Sequence, residues 1–106
     1  MKVYLAGPMR GIPEDNFPVF DHAALLLRTE GYEVFNPADN DRKMQQEGIE
    51  INIQNCIAQD LAWICWEAEA VALLPGWEKS TGAFAEWALA RALGLKTIYL
   101  GQEYLP

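Results

Sequence analysis

Basic residues are scarce in this chain: eight lysines and arginines stand against fifteen aspartates and glutamates, a formal net charge of −7. A protein so short of positive charge is not built to grip duplex nucleic acid, whose phosphates call for clustered Lys and Arg. A single nucleotide asks for less, since one helix N-terminus and one Arg suffice to hold a phosphate. There is one histidine, His22, and there are two cysteines, Cys56 and Cys65. That supply is too small for a histidine-rich metal centre and wrongly spaced for a zinc site or redox pair, so no metal or cofactor is expected. Both cysteines fall in an apolar helical pattern and read as buried free thiols. His22 falls inside a helical stretch and reads as a surface or half-buried structural residue. Neither a secretory leader nor a long apolar span is visible, so the expectation is a soluble, cytoplasmic protein with no membrane partner.

What is present argues for one ordered domain spanning residues 1–106, with 51% apolar residues and charges spread evenly along the chain. The informative stretch is Val71–Gly94, VALLPGWEKSTGAFAEWALARALG. It reads as a buried strand, a loop over Pro75–Thr81, and a helix from about Gly82 with small and apolar residues at helical spacing. Gly94 closes that helix and Ser80 or Thr81 caps its start. Gly82 lets the backbone approach a ligand, and the free N–H groups of the first turn make a place for a phosphate. Glu86 follows Gly82 by four residues and shares its helix face.

The rest of the chain supplies the frame. Lys2–Ala6 is a strand ended by Gly7-Pro8, followed by a loop through Pro13. Asp15 or Asn16 caps a helix that Gly31 stops, and Tyr32–Phe35 is a short second strand. Ala38–Gly48 is polar, charged and without period, and reads as a mobile flap or irregular loop. Ile53, Ile57, Leu61 and Ile64 mark a second helix over about Glu50–Trp66; Ala70–Leu74 is the third strand and Lys96–Leu100 the last. Such alternation implies an α/β fold: a flavodoxin-like, doubly wound parallel sheet of about four strands in the order 2-1-3-4, with helices on both faces. The switch point lies between strands one and three, and ligands bind there at the carboxyl ends of the strands. Two loops, Gly7–Pro13 and Pro75–Thr81, therefore meet at one cleft.

Several side chains fall in that cleft. Arg10 is either a surface ion pair or a clamp for a phosphate or carboxylate. Tyr4 belongs to the core by strand pattern, and its hydroxyl needs a partner. Asp60 interrupts the apolar side of the second helix, either as a solvated carboxylate or as a group facing the cleft. Glu86, beside an anion site, suits attack on an anomeric carbon through an oxocarbenium-like transition state, and Asp60 can assist.

These residues also carry a resemblance. Val3-Tyr4-Leu5-Ala6-Gly7-Pro8-Met9 resembles the opening of the nucleoside 2-deoxyribosyltransferases, and Tyr4…Gly7-x-x-Arg10-Gly11 is similar to the matching loop of the 2′-deoxynucleoside 5′-phosphate N-hydrolases. The segment from Asp60 through Ser80-x-Gly82-x-x-x-Glu86 runs parallel to the same hydrolases without a gap. As a whole, Lys2 to Leu100 resembles a small branch of that superfamily common in bacteriophage and prophage genomes. The resemblance implies cleavage or transfer at the N-glycosidic bond of a nucleoside or nucleoside 5′-monophosphate. It matches Glu86 to the nucleophile, Asp60 and Tyr4 to side chains that orient sugar and nucleophile, and Arg10, Ser80 and Gly82 to a 5′-phosphate cradle. Gly7, Gly11 and Trp77 lie in the same two loops and join the candidate binding set. Pro8 stands where the hydrolases use a phosphate-binding serine, and Phe84 replaces a second loop glycine. Relatives assemble, and Trp63 and Trp66 offer aromatic surface for a homodimer or larger oligomer. A non-catalytic nucleotide-binding module of the same fold is the alternative reading, and a phage origin would make the compartment the host cytoplasm.

Overall fold

The computed structural model describes residues 1–106 and contains a four-stranded, all-parallel sheet in the order β2-β1-β3-β4. The strands are β1 (Lys2–Ala6), β2 (Glu33–Phe35), β3 (Ala70–Leu73) and β4 (Lys96–Tyr99). Registers of Val3 with Val34 and Ala70, and of Ala70 with Lys96, tie them into one flavodoxin-like layer. Four helices connect and cover it: α1 (Phe17–Thr29), α2 (Pro37–Gln46), α3 (Ile53–Trp66) and α4 (Thr81–Ala92).

The period-two alternation of β1 and β3 divides the core between the two faces. Val3, Leu5, Ala70 and Ala72 pack with Phe20, Ala24 and Leu27 of α1. Tyr4, Ala6, Val71 and Leu73 pack with Ile64 of α3 and with Ala83 and Ala90 of α4. Every residue of β3 is buried, which accounts for its unbroken apolar run, whereas β4 is half-covered at the sheet edge. No helix is long and apolar enough to cross a membrane.

Four expectations need correction. Ala38–Gly48 is not a loop, because most of it forms α2. Asn36 caps that helix by accepting from the Ala38 N–H at 3.0 Å, and Pro37 occupies its first turn. Its buried stripe, Ala38, Asp41 and Met44, holds one large apolar residue, so it left almost no hydrophobic period to read. Ion pairs hold α2 on α1 instead: Arg42 meets Asp21 at 2.6 Å and its guanidinium lies over the Phe17 ring. Asn16 precedes α1 but does not cap it with its side chain, which donates to the Pro8 carbonyl at 2.8 Å. Glu14, Asp15 and Asn16 all take positive φ there, at 58°, 51° and 60°. Cys65 is exposed, not buried, because it lies on the outer side of α3; Cys56 is buried. Trp63 packs at a tilt on Phe35, ring centroids 5.1 Å apart, so of the two tryptophans offered for an oligomer contact only Trp66, 83% exposed, stands free.

Gly7 ends β1 where the backbone passes against β3. A Cβ there would lie 2.8 Å from Leu74 Cβ, closer than packed atoms tolerate. Gly7→Ala should destabilise the fold by about 1–3 kcal/mol through this overpacking. Urea denaturation checks it: a lowered midpoint at unchanged slope is the expected result, and an unchanged midpoint would show that Leu74 moves freely.

Candidate functional site

A cleft of about 590 Å³ opens at the carboxyl edge of the sheet, on the α3 and α4 side of β1 and β3. The topology puts it there: α1 leaves β1 toward one face and α3 returns on the other, so the strand ends between them stay uncovered. Its two entry loops touch each other, Pro8 lying 3.3 Å from where a Cβ on Gly76 would stand. Gly76 itself has φ +88°, a left-handed bend that turns the chain from β3 toward α4.

Three buried polar groups lie side by side at the floor. Tyr4 points from β1 with no exposed surface, Asp60 from the middle of α3, and Glu86 from the second turn of α4. The Tyr4 hydroxyl donates to Glu86 Oε2 at 2.5 Å. Burial pushes the Glu86 carboxyl up to about 8; hydrogen bonding from Tyr4 opposes the shift, and the nearby charge of Asp60 adds to it. Asp60 rises to about 7, again mainly by burial, with Tyr4 opposing, Asp41 raising it further and Arg10 lowering it. The Tyr4 phenol is itself driven well above 10 by burial and by these two carboxyls, so it remains a donor. At neutral pH the two carboxyls together carry fewer than two charges, and the protons belong to the pair rather than to either residue.

The α4 wall carries Ser80, Thr81 and Gly82. Ser80 caps the helix, its Oγ accepting from the Ala83 N–H at 3.3 Å, which starts α4 one residue before Gly82. Apart from its chain neighbours and the backbone of its own helix, no atom lies within 4 Å of where a Gly82 Cβ would be, so the helix start stays open to the cleft. Lys79 lines the same wall. The opposite wall is α3 with the β1 loop. There Arg10 Nη2 donates to Cys56 Sγ at 3.1 Å, and Nη1 lies 3.4 Å from Asp41 Oδ2 and 3.8 Å from Asp15 Oδ2. The Cys56 thiol donates in turn to Asp41 Oδ1 at 3.5 Å. Burial, reinforced by Asp41, pushes that thiol up to about 11, so it is an uncharged link and not a nucleophile.

Of the residues singled out from sequence, Tyr4, Asp60, Glu86, Gly7, Arg10, Ser80 and Gly82 line this cleft together. Gly11 and Trp77 do not. Gly11, exposed with φ +82°, turns the β1 loop beyond the rim. Trp77 packs its indole outward against Trp87 at 5.2 Å and Tyr99 at 6.3 Å. Arg10 and the α4 start share the cleft but stand on different walls. Sequence reading missed Asp41, Cys56 and Lys79 as site residues. Cys56 had a signal, lying four residues before Asp60 and so one turn above it on α3; Asp41 had none, because its helix was not visible. No group of three or more His, Cys, Asp or Glu side chains is placed to hold a metal ion.

A model of a domain of unknown function, DUF4406, matches residues 1–99, and the chain belongs to that family. No curated protein and no solved structure matches it.

The buried carboxyls make stability depend on pH. Both hold protons more tightly in the folded chain than in the unfolded one, where they titrate near 4. Stability contributed by the pair is therefore fully present below about pH 4 and is lost as pH rises through 7 and 8, by up to about 1.4 kcal/mol per group per pH unit. Glu86→Gln keeps the shape and cannot ionise. Its thermal midpoint should exceed that of the wild type at pH 8.5, with the gap narrowing toward pH 5. A gap that is constant with pH would show that Glu86 titrates in the fold as it does in water.

Proposed function

We propose that this member of the DUF4406 family cleaves, or transfers at, the N-glycosidic bond of a nucleoside 5′-monophosphate, with Glu86 as nucleophile. The observation that carries the reading is the buried Tyr4–Glu86 hydrogen bond beside Asp60 at the floor of the cleft. A carboxylate taken out of water at such cost, aimed by a phenol and paired with a second carboxyl, is what glycosyl transfer through a covalent ester needs. The likeness of the Tyr4–Arg10 and Asp60–Glu86 segments to nucleoside 2-deoxyribosyltransferases and nucleotide N-hydrolases supports the same reaction class.

In the first step a Glu86 carboxylate oxygen bonds to the anomeric carbon as the carbon–nitrogen bond breaks. The base leaves with the bonding electron pair and takes the proton of Asp60. A water or a second base then attacks the same carbon and gives its proton to Asp60, and the Glu86 ester breaks. The Tyr4 hydroxyl holds the attacking carboxylate in one rotamer and favours its anionic form. Backbone N–H groups at the start of α4, with Ser80 and Lys79, receive the 5′-phosphate.

The competent state is anionic Glu86 beside protonated Asp60, one of two arrangements of a singly protonated pair. Base release from 2′-deoxynucleoside 5′-monophosphates should thus follow a bell in pH. Its limbs belong to the pair and lie near 7 and 8. Glu86→Gln should lower release by at least about a thousandfold while nucleotide affinity stays within a few-fold. Chromatographic assay of free base over a panel of deoxynucleotides decides the matter. Release by Glu86→Gln at the wild-type rate overturns the reading, and so does tight binding with no release by the wild type on any member of the panel; the latter outcome leaves a binding module.

A further inference from the structure

Arg10 is the one guanidinium in the cleft, and its placement raises a question about what it meets. In the sheet order β2-β1-β3-β4, α2 follows β2 and α4 follows β3, so these helices start on opposite sides of β1. Arg10 leans to the α2 side: Nη2 is bonded to Cys56 in the first turn of α3, and Nη1 faces Asp41 of α2. The open α4 start is across the cleft. Cys56 lies one turn from Asp60, so the guanidinium sits above the Asp60 side of the floor. A nucleotide with its phosphate on α4 and its anomeric carbon at Glu86 has this α3 wall within reach of its base.

The chemistry of that wall is one-sided. A guanidinium donates and never accepts. Around it the lining consists of Met9, Ile12, Ile53 and Ile57, which carry no polar side-chain group. The Cys56 sulfur already accepts from Arg10 and donates to Asp41. Asp41 is buried, its Oδ2 unreachable from the cleft and without a hydrogen-bond partner while facing Arg10. Asp15, outside the cleft lining, pairs with Arg10 Nη1 at 3.8 Å, and Asp60 at the foot of the wall is the carboxyl that carries the transferred proton, so Arg10 is the donor this wall presents to a base.

Resting on the nucleotide reading above, we propose that Arg10 reads the base and not the phosphate, selecting bases whose outer edge presents a carbonyl oxygen over those presenting an amino group, and that Asp41 is the positioning residue that aims it. Hypoxanthine and guanine offer a carbonyl and a ring nitrogen to a guanidinium fork, whereas adenine sets an amino group against it. Uracil and cytosine stand in the same relation. Asp41 acts only through Arg10, fixing the guanidinium against α3 by charge and through the Cys56 bridge.

The test compares 2′-deoxyinosine and 2′-deoxyadenosine 5′-monophosphates, which differ at that edge, with 2-deoxyribose 5-phosphate, which has no base. Calorimetry on the wild type should show the inosine compound binding at least about tenfold more tightly than the adenosine compound. Arg10→Ala and Arg10→Lys should both abolish the preference and leave affinity for 2-deoxyribose 5-phosphate within about twofold. Lysine keeps the charge and loses the fork. Asp41→Asn, checked for folding by thermal melt, should reduce the preference in the wild-type background and change nothing further in Arg10→Ala. Equal affinity of the wild type for the two nucleotides overturns the assignment. So does a loss of 2-deoxyribose 5-phosphate binding in Arg10→Ala, which returns Arg10 to the phosphate. If neither nucleotide nor the sugar phosphate binds the wild type, the nucleotide reading itself fails and this inference falls with it.

Discussion

One hydrogen bond, from the Tyr4 hydroxyl to Glu86, joins the first strand to the last helix across 82 positions of sequence. Tyr4 has no exposed surface, and its ring stacks on Phe35 at 5.3 Å, so the phenol cannot swing away to find another partner. A buried hydroxyl left unbonded costs on the order of 1–3 kcal/mol, and a buried carboxyl costs more. Each of the two groups is tolerable at the strand ends because the other is there. The packing of α4 on β1 and β3, through Ala83 and Ala90, is what brings them to bonding distance. Small residues at those positions let the helix come close enough for Glu86 to reach the strand.

The same closeness organises the cleft above. With α4 drawn onto β3, the helix start turns its Ser80 cap and the open backbone at Gly82 toward the switch point. The α3 wall is built differently. It gets its polarity from a chain of contacts, Arg10 to Cys56 to Asp41, whose far end is a carboxylate buried on α2. A floor of acid groups thus lies between a wall of backbone donors and a wall with a single anchored cation.

How much of this a reader of the sequence could see follows from where each signal resides. The strand order and both faces of the sheet were legible because they depend on local periodicity and on the geometry of parallel crossovers; periodicity left Asp60 open between solvent and cleft, and only the family resemblance grouped it with Tyr4 and Glu86. The second helix was not, because α2 buries Ala38, Asp41 and Met44 and is held to α1 by Arg42 and Asp21, interactions between segments that no window on the chain can display. Asp41 was lost with it. Trp77 shows the converse error: its place in the central loop was legible, but the side chain's direction was set by Trp87 and Tyr99, with which it packs, and they turn it out of the cleft. Cys65 failed for a related reason, since an apolar period marks a helix face without saying which of its edges the sheet covers.

The raised carboxyls bear on the proposed reaction as well as on stability. In the free cleft, burial makes a second negative charge at the floor unfavourable, and the pair retains protons at neutral pH. In the glycosyl transfer proposed above, an anomeric carbon passing through an oxocarbenium-like state would bring positive charge to within bonding distance of that floor. The charge and the carboxylate would then neutralise each other in surroundings that screen poorly, an interaction far stronger in that transition state than with the neutral ground-state sugar. On that proposal, burial that costs the resting protein stability is offset where the sugar is most cationic, which is the differential binding that catalysis requires. An exposed glutamate on the outer side of α4 would be easier to fold around, and water would take away most of that difference.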